Sequence, residues 1–209
     1  MSITATAKGG GTFQIAPAGT HIGRCVQIID LGTQKTNFQG REKRARKVRI
    51  AWELPEELAT FNADKGEEPF VVGKEYTLSL GDKATLRKDL EAWRGRAFTN
   101  EELEGFDLAK LLGVPCLLTI VHEVAKSSGN NYAKIVSVTK IGKNMTCPPQ
   151  ISAGLEYSID QGKNEIFQSL PEWLQDKCKQ CEEWNAPARE AAADAPEHTS
   201  HPEEDDVPF

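Results

Sequence analysis

Apolar residues recur at every second position through much of this chain, and one segment departs from that rule. Residues 48–54, VRIAWEL, alternate apolar side chains with charged or small ones, which is typical of a half-buried β-strand. Residues 82–94 instead repeat Leu86, Leu90 and Trp93 at intervals of four and three, which places one apolar stripe on a helix. A helical stripe set among two-residue periods predicts a mainly β domain with a helix packed on it.

The order of the elements narrows the fold. The helix, with Asp82 as its cap and Gly95 at its end, falls between the third and fourth predicted strands. This order is that of the OB-fold, a five-stranded, partly open barrel whose second and third strands and adjoining loops bind oligonucleotides. An SH3-like barrel, or a plain antiparallel sheet with a helix, is the alternative. The predicted strands are residues 20–34, 48–54, 75–80, 114–124 and 132–141.

Alternation also predicts side-chain directions. Gly23 is expected to permit a bulge or tight curvature in a long, bent first strand. Leu78 is expected to face the core of the third strand. In the fifth strand, Val136 and Val138 are expected on one face and Ile135 on the other.

The rest of the chain divides by composition. Residues 33–47 are polar and basic and are predicted to connect the first two strands as a hairpin, whereas residues 55–69, rich in acids and turn formers, are predicted as a loop. A helix is predicted at about 169–184, with Trp173 among the residues that line its apolar side. The predicted units are a flexible N-terminal arm at 1–12, the barrel at 13–145, an extension at 146–184 that packs on the barrel or on a second subunit to make a homodimer, and a disordered acidic tail at 185–209.

Charge is unevenly distributed along the chain. Residues 1–145 hold 21 Lys and Arg against 17 Asp and Glu, whereas residues 146–209 hold 4 against 14. A mildly basic body attracts a polyanion, and an acidic tail can compete with that polyanion or recruit a partner.

The densest basic patch is REKRARKVR at residues 41–49, which carries six cations and one acid. Phe38 precedes the patch and Trp52 follows it, and single-stranded nucleic acid needs cations for its phosphates and aromatic faces for its bases. Trp52 alternates with apolar residues, which favours a place in the core over a stacking role. The alternative for the patch is a solvated hairpin that protects a sheet edge. The predicted contacts with nucleic acid are Phe38, Arg41, Lys43, Arg44, Arg46, Lys47 and Arg49.

The hairpin between the fourth and fifth strands adds Lys126, Tyr132 and Lys134 to these candidates. Tyr132 is predicted either to stack a base at the barrel rim or to close the sheet edge. A second basic surface on the helix has acids interleaved, which favours a plain solvated face. It holds Lys83, Arg87, Lys88, Arg94 and Arg96.

The sequence gives little support for catalysis, a metal or a cofactor. It has no GxxxxGK[ST], HExxH or GxSxG motif, and His122 is predicted as a satisfied core or rim histidine. Five scattered cysteines favour a reducing cytoplasm, and Cys178 and Cys181 are predicted as two unligated thiols on a helix. With no signal pattern and no apolar run of about 20 residues, neither export nor a membrane span is expected.

The last residues, EEDDVPF, together with the basic body, resemble the single-stranded DNA-binding proteins of bacteria and their phages. The phrases TFQIAPAGTHIGRCVQIIDLGTQ, FDLAKLLGVPCLLTIVHE and NYAKIVSV are similar to a phage-encoded group with an OB core. The resemblance implies binding of single-stranded DNA with little sequence preference during phage replication or recombination in the host cytoplasm, and no enzymatic activity. It also implies that an acidic tip docks on replication or repair proteins through Glu203, Glu204, Asp205, Asp206, Val207, Pro208 and Phe209.

Two other functions remain open at this point. A protein-interaction adaptor would use the same barrel to bind a polypeptide and would not bind nucleic acid. A small nuclease or recombination enzyme is disfavoured, because a two-metal site needs clustered acids on neighbouring strands and these strands lack them.

Overall fold

A curled antiparallel sheet of five strands forms a half-barrel in the computed structural model, which describes residues 14–38, 40–126 and 129–185. The strand order is β3-β2-β1-β4-β5, and the two end strands, β3 and β5, lie near each other because the sheet curls. The prediction of a mainly β protein is therefore confirmed. The strands are β1 Gly19–Phe38, β2 Arg41–Asn62, β3 Gly66–Thr77, β4 Pro115–Val124 and β5 Asn131–Thr139.

Short helices follow β3 and fill the C-terminal part of the described chain. Between β3 and β4 lie α1 (Thr85–Arg94), α2 (Asn100–Glu104) and a 3₁₀ turn (Leu108–Leu111). The extension contains β6 (Leu155–Tyr157), 3₁₀ turns at Ile159–Gln161 and Glu183–Asn185, and the helices α3 (Glu165–Ser169) and α4 (Glu172–Lys179). No helix in these described ranges is long and apolar enough to cross a bilayer.

The main core lies between the concave face of the sheet and α1. The alternating residues of β2 are buried there as predicted, and Trp52 is a core residue whose ring lies 5.6 Å from that of Trp93 on α1. Leu86, Leu90 and Trp93 form the buried stripe of α1, and each such side chain contributes about 1.5–3 kcal/mol. Gly95 ends α1 in a left-handed conformation (φ 70°), as predicted.

The start of α1 differs from the prediction. The residue before its first turn is Ala84, which offers no capping side chain, and not Asp82. Asp82 instead forms an ion pair with Arg87, so its carboxylate neutralises a cation and does not cap the helix.

β1 bends because successive parts of the strand pair with two different strands. Its residues Gly19–Arg24 pair with β4, whereas Gln27–Ile29 pair in parallel with β6 of the extension. Bulges follow Cys25 and Asp30, where the register with β2 shifts. Gly23 is not at a bulge; it allows close packing, because a Cβ there would lie 2.7 Å from a methyl carbon of Leu118.

Several predicted boundaries and directions were wrong. Residues 55–69 are a strand hairpin and not a loop, since β2 continues to Asn62 and β3 begins at Gly66. Residues 33–47 belong to the predicted hairpin, but most of them are strand, since β1 continues to Phe38 and β2 begins at Arg41. Leu78 follows the end of β3 and is exposed.

The predicted faces of β5 were also wrong. Thr119 pairs with Ser137 and Ile120 with Ile135, so Val136 is the extra residue of a bulge. The bulge turns Val136 to solvent and brings Ile135 and Val138 to the same buried side. A one-residue insertion in the register thus reverses the alternation read from the sequence.

The extension packs on β1 of the same chain, one of the two arrangements that its sequence left open. A second core joins Ile29 and Leu31 of β1 to apolar residues of the extension. The predicted helix at 169–184 is wrong in its bounds: the chain breaks into α3 and α4, and Trp173 faces solvent while Leu174 is buried. The extension's members of this core are Tyr157, Ile159, Phe167, Leu170, Leu174, Cys178 and Cys181.

A buried carboxylate fixes the start of the extension. Glu53 on β2 is fully buried and accepts hydrogen bonds from the backbone N–H groups of Ile151 (2.9 Å) and Ser152 (2.7 Å). The buried carboxylate is tolerated because both of its oxygens accept hydrogen bonds from backbone N–H groups of the extension that covers it.

The five cysteines form no disulfide. Burial raises the pKa of Cys178 to about 11 and also raises that of Cys181, so both thiols are protonated at neutral pH. In the described part of the chain, no group of three His, Cys, Asp or Glu side chains is placed to hold a metal. The predicted arm at 1–12, the side chains of Phe38 and Arg41, and the tail from 186 with its tip, Glu203–Phe209, lie outside the described residues.

Candidate nucleic-acid interface

The predicted cations of β2 lie on two faces, because side chains alternate along a strand. Arg44 and Arg46 share a face with the core residue Val48, beyond the end of the half-barrel, whereas Lys47 and Arg49 point to the outer face. The paired ends of β1 and β2, residues 33–38 and 40–47, are called the basic arm below. The sequence prediction of one continuous patch therefore becomes two surfaces.

On the surface that carries Arg44 and Arg46, acidic side chains form ion pairs with both arginines. Arg46 Nε lies 3.2 Å from both carboxylate oxygens of Asp30, and Arg46 Nη2 lies 3.2 Å from Asp160 of the extension. Arg44 pairs with Glu42 (2.9 Å) and with Glu182 of the extension (3.3 Å). The hydrogen bond to Asp30 raises the pKa of Arg46, and that to Glu42 raises the pKa of Arg44. Asp30 is largely buried, whereas the pairs with Asp160 and Glu182 lie at the surface and contribute only about 0–1 kcal/mol each, so phosphates can replace these two acids.

A polar groove lies on the other side of the arm, next to β3 and the start of α1. Its volume is about 770 Å³, and its lining includes Lys47, Thr77, Ser79 and Lys83. Lys47 Nζ donates a hydrogen bond to Thr77 Oγ1 at 2.8 Å. Within residues 14–38, 40–126 and 129–185, neither lysine has a carboxylate within 4.0 Å, so both charges remain available to an anion.

An apolar cleft opens beside this groove on the outer face of β2 and β3, and it is called the aromatic cleft below. Its volume is about 850 Å³, and β5 and α4 contribute its walls. Three of its aromatic side chains stay largely open to solvent: Phe61 is 48 % exposed, Tyr132 40 % and Trp173 53 %. Ile151 of the extension, at 55 %, adds to the exposed apolar surface. An exposed patch of this kind marks a binding surface more often than an accident of folding.

Arg49 lies in the lining of the aromatic cleft. Its guanidinium carbon is 5.3 Å from the centre of the Trp173 ring, and Nη1 is 3.4 Å from Gln27 Oε1. Gly73 on β3 makes room for it, because a Cβ at that position would lie 2.1 Å from Arg49 Nη2. Burial lowers the pKa of Arg49, although the group stays charged at neutral pH. Among the described residues, no carboxylate lies within ion-pair distance of Arg49.

Tyr132 and Lys134 share one acid at the rim of the cleft. The Tyr132 hydroxyl donates to Glu123 Oε2 at 3.0 Å, and Lys134 Nζ donates to Glu123 Oε1 at 2.7 Å. The Lys134 bond lowers the pKa of Glu123. Tyr132 therefore has its hydroxyl fixed and part of its ring exposed. Lys126, the third predicted residue of this hairpin, is exposed just beyond β4.

The basic surface predicted on the helix is largely neutralised. Arg87 pairs with Glu91 at 3.0 Å, and Arg94 and Arg96 both contact Glu102. Arg94 departs from the interpretation as a plain solvated face, because its side chain is only 14 % exposed and its guanidinium carbon lies 4.4 Å from the centre of the Phe98 ring. His122, predicted as a core or rim residue, is exposed at the end of β4 with its Nε2 2.9 Å from the carbonyl oxygen of Ala16.

Sequence reasoning missed Phe61 and Trp173 as candidate site residues. Phe61 was assigned to a loop, although it lies on β2 with its ring 5.0 Å from that of Phe70. Trp173 was assigned to the buried side of a helix. Local spacing could not have found it, because position 173 is three residues after Leu170 and falls within the apolar stripe of a helix predicted at 169–184.

Acids border the aromatic cleft as well. Glu67 and Glu68 line it, and Glu75 lines both the cleft and the polar groove. Glu75 forms an ion pair with Lys177 of α4, which offsets its charge. Comparison of the chain with protein-family models and with curated proteins finds no match in either.

Proposed function

We propose that this protein binds single-stranded DNA with little sequence preference. The observation that carries the proposal is the aromatic cleft, an open apolar surface joined at Glu75 to a groove that holds two lysines without an acid partner. Stacking faces beside a cationic track are the two elements that binding of single strands requires.

The fold that we propose is an OB-like barrel. Support comes from the chain order of β3, α1 and β4 and from the curl that brings β3 near β5. In that fold, the ligand face is built by the second and third strands with the adjoining hairpins. Arg49 on β2, Gly73 on β3 and Tyr132 on β5 occupy that region here.

The binding mechanism is physical and not catalytic. Lysines and arginines displace counterions from the phosphates, which makes affinity fall steeply as salt rises. Exposed rings stack on unpaired bases, and duplex DNA is disfavoured because its bases are already stacked on each other. The arm's arginines exchange Asp160 and Glu182 for phosphates in this mechanism.

The biological setting that we propose follows from the sequence resemblance. The protein would cover single strands during phage DNA replication or recombination in the host cytoplasm, without an enzymatic activity or a cofactor of its own. The acidic tip, Glu203–Phe209, would dock on replication or repair proteins.

The proposal is tested with a labelled oligo-dT strand and a charge-reversed variant. Fluorescence anisotropy at low salt should give saturable binding for the wild-type protein and much weaker binding when Arg44, Arg46 and Lys47 are replaced by Glu. The fit of log affinity against log salt should be linear with a negative slope. No binding of the wild-type protein at low salt would refute the proposal.

An adaptor function is the second candidate, and the acids that line the cleft favour it. Glu67 and Glu68 beside exposed apolar rings would suit a basic, apolar peptide. That function predicts that nucleic acid is absent from the purified protein and that the charge-reversed variant stays active. The same titration therefore separates the two candidates.

A further inference from the structure

We infer that the extension completes the DNA site: Trp173 of α4 is the platform on which the aromatic cleft stacks an unpaired nucleobase, and Arg49 positions its ring. This inference rests on the proposed function, and it gives residues 146–184 a role in binding that their sequence did not indicate.

Packing of the extension does not account for Trp173. Leu174 and Cys178, which follow it on α4, are buried in the second core and anchor the helix to β1. Trp173 is 53 % exposed on the opposite, cleft-facing side. A large ring exposed to water contributes little to the free energy of folding. We therefore attribute the exposed ring to contact with a ligand outside the chain.

The barrel holds this ring in place. The Arg49 guanidinium occupies the space that a side chain at position 73 would take, which Gly73 leaves open. Its carbon lies 5.3 Å from the centre of the Trp173 ring. A cation at a tryptophan ring contributes about 0.5–1 kcal/mol at an exposed site, which fixes the ring's orientation at low cost. The platform is therefore preorganised by β2 and β3 and is supplied by α4.

The charges around the cleft select the part of the strand that enters it. Glu67 and Glu68 in the lining of the cleft repel phosphates, whereas the other walls offer rings and aliphatic side chains. The adjoining polar groove offers Lys47 and Lys83 to the phosphates, and its two acids, Glu75 and Asp82, are paired with Lys177 and Arg87. A single strand satisfies both surfaces when its base enters the cleft and its backbone follows the groove. An apolar peptide satisfies only the cleft.

The variants that test this are Trp173→Ala and Trp173→Phe, with Met145→Ala as the control for loss of an exposed apolar side chain outside the cleft. Stacking on one aromatic ring contributes about 1–3 kcal/mol per base, so Trp173→Ala should weaken oligo-dT binding by roughly 5- to 150-fold. Trp173→Phe should recover most of the affinity, and Met145→Ala should not change it. The salt slope should stay constant, because no charge is removed.

An abasic strand of the same length separates stacking from a general structural effect. The wild-type and Trp173→Ala proteins should bind that strand equally, since it has no base to stack. Binding of oligo-dT should also quench the tryptophan fluorescence of the wild-type protein more than that of Trp173→Ala, because Trp52 and Trp93 are buried and Trp184 is partly buried. Equal oligo-dT affinity for both proteins would overturn this inference and leave the proposed function standing. Equal losses on oligo-dT and on the abasic strand would also overturn it. Failure of the wild-type protein to bind would instead refute the proposed function.

Discussion

Replacing Glu53 by Gln tests how the extension is attached to the half-barrel. The Glu53 carboxylate is fully buried, and its two oxygens accept the backbone N–H groups of Ile151 and Ser152. The amide of Gln has the same shape but only one acceptor, so one buried N–H would face an NH₂ donor. Ile151 also lines the aromatic cleft, so the perturbation reaches the proposed binding site.

The expected magnitude follows from the hydrogen bonds lost. A hydrogen bond to a charged group contributes about 1.5–3 kcal/mol, and the substitution removes one such bond and neutralises the charge of the other. We therefore expect the free energy of unfolding to fall by about 1.5–3 kcal/mol. For a chain of this length, that corresponds to a drop in melting temperature of roughly 3–12 °C.

Thermal melting followed by circular dichroism measures this effect, with Glu56→Gln as the control. Glu56 lies on the same strand but is exposed, so its substitution should leave the melting temperature within about 1 °C of wild type. A Glu53→Gln protein with the same melting temperature as the wild type would refute the claim that this carboxylate fixes the extension.

Three further predictions concern the cleft, the arm and acid stability. Gly73→Ala should displace the Arg49 guanidinium and weaken oligo-dT binding by roughly two- to fivefold, the loss of one cation–π contact, as measured by anisotropy. Glu182→Gln should tighten oligo-dT binding by up to about fivefold, because the acid no longer competes with phosphate for the arm. Hydrogen bonds, the largest from Arg96, lower the pKa of Glu102 from 4.5 to about 2. Since this pKa is lower in the folded chain than in the unfolded chain, the stabilisation is complete above about pH 4.5 and is lost as the pH falls towards 2, which an NMR titration of the carboxyl group would follow.

Each of these predictions has an outcome that contradicts it. Undiminished oligo-dT affinity in Gly73→Ala would show that the position of Arg49 does not matter for binding. Asp176→Asn is the control for Glu182→Gln, because its carboxylate pairs with Lys179 of the same chain segment. Equal tightening in both variants would point to net charge and not to competition at the arm. A Glu102 carboxyl that titrates near pH 4.5 would contradict the arginine contacts.

The sequence predicted the elements whose signal is local. The alternation in residues 48–54 and the stripe of α1 both depend on neighbours within one element, and both are present with the expected residues buried. The direction of Val136 was wrong because a bulge depends on the pairing partner, which a single strand does not reveal. The strands at 55–69 were missed because a two-stranded ribbon tolerates acids and turn formers that resemble a loop.

The candidate site was harder to predict because distant segments build it. Arg46 is 114 residues from Asp160, and Arg49 is 124 from Trp173, so no local pattern links either pair. The sequence identified the cations of 41–49 as a group. It could not show which of them have acid partners, because some of those acids lie on the extension, which packs against β1. Among the described residues, Arg44 and Arg46 have carboxylates within 4.0 Å, whereas Lys47 and Arg49 do not, although the charge of Glu75 acts on Arg49.

Preference for single strands is the central claim, and competition between strand types tests it most directly. A labelled oligo-dT strand bound to the full-length protein is challenged, at one fixed salt concentration, with unlabelled oligo-dT and with a duplex of equal length. We predict that oligo-dT displaces the label at a concentration at least tenfold below that of the duplex, because the stacking of about 1–3 kcal/mol per base is open only to unpaired bases. Equal displacement by oligo-dT and the duplex would show that the protein recognises only the charge of the strand. It would contradict the claim that unpaired bases stack in the aromatic cleft.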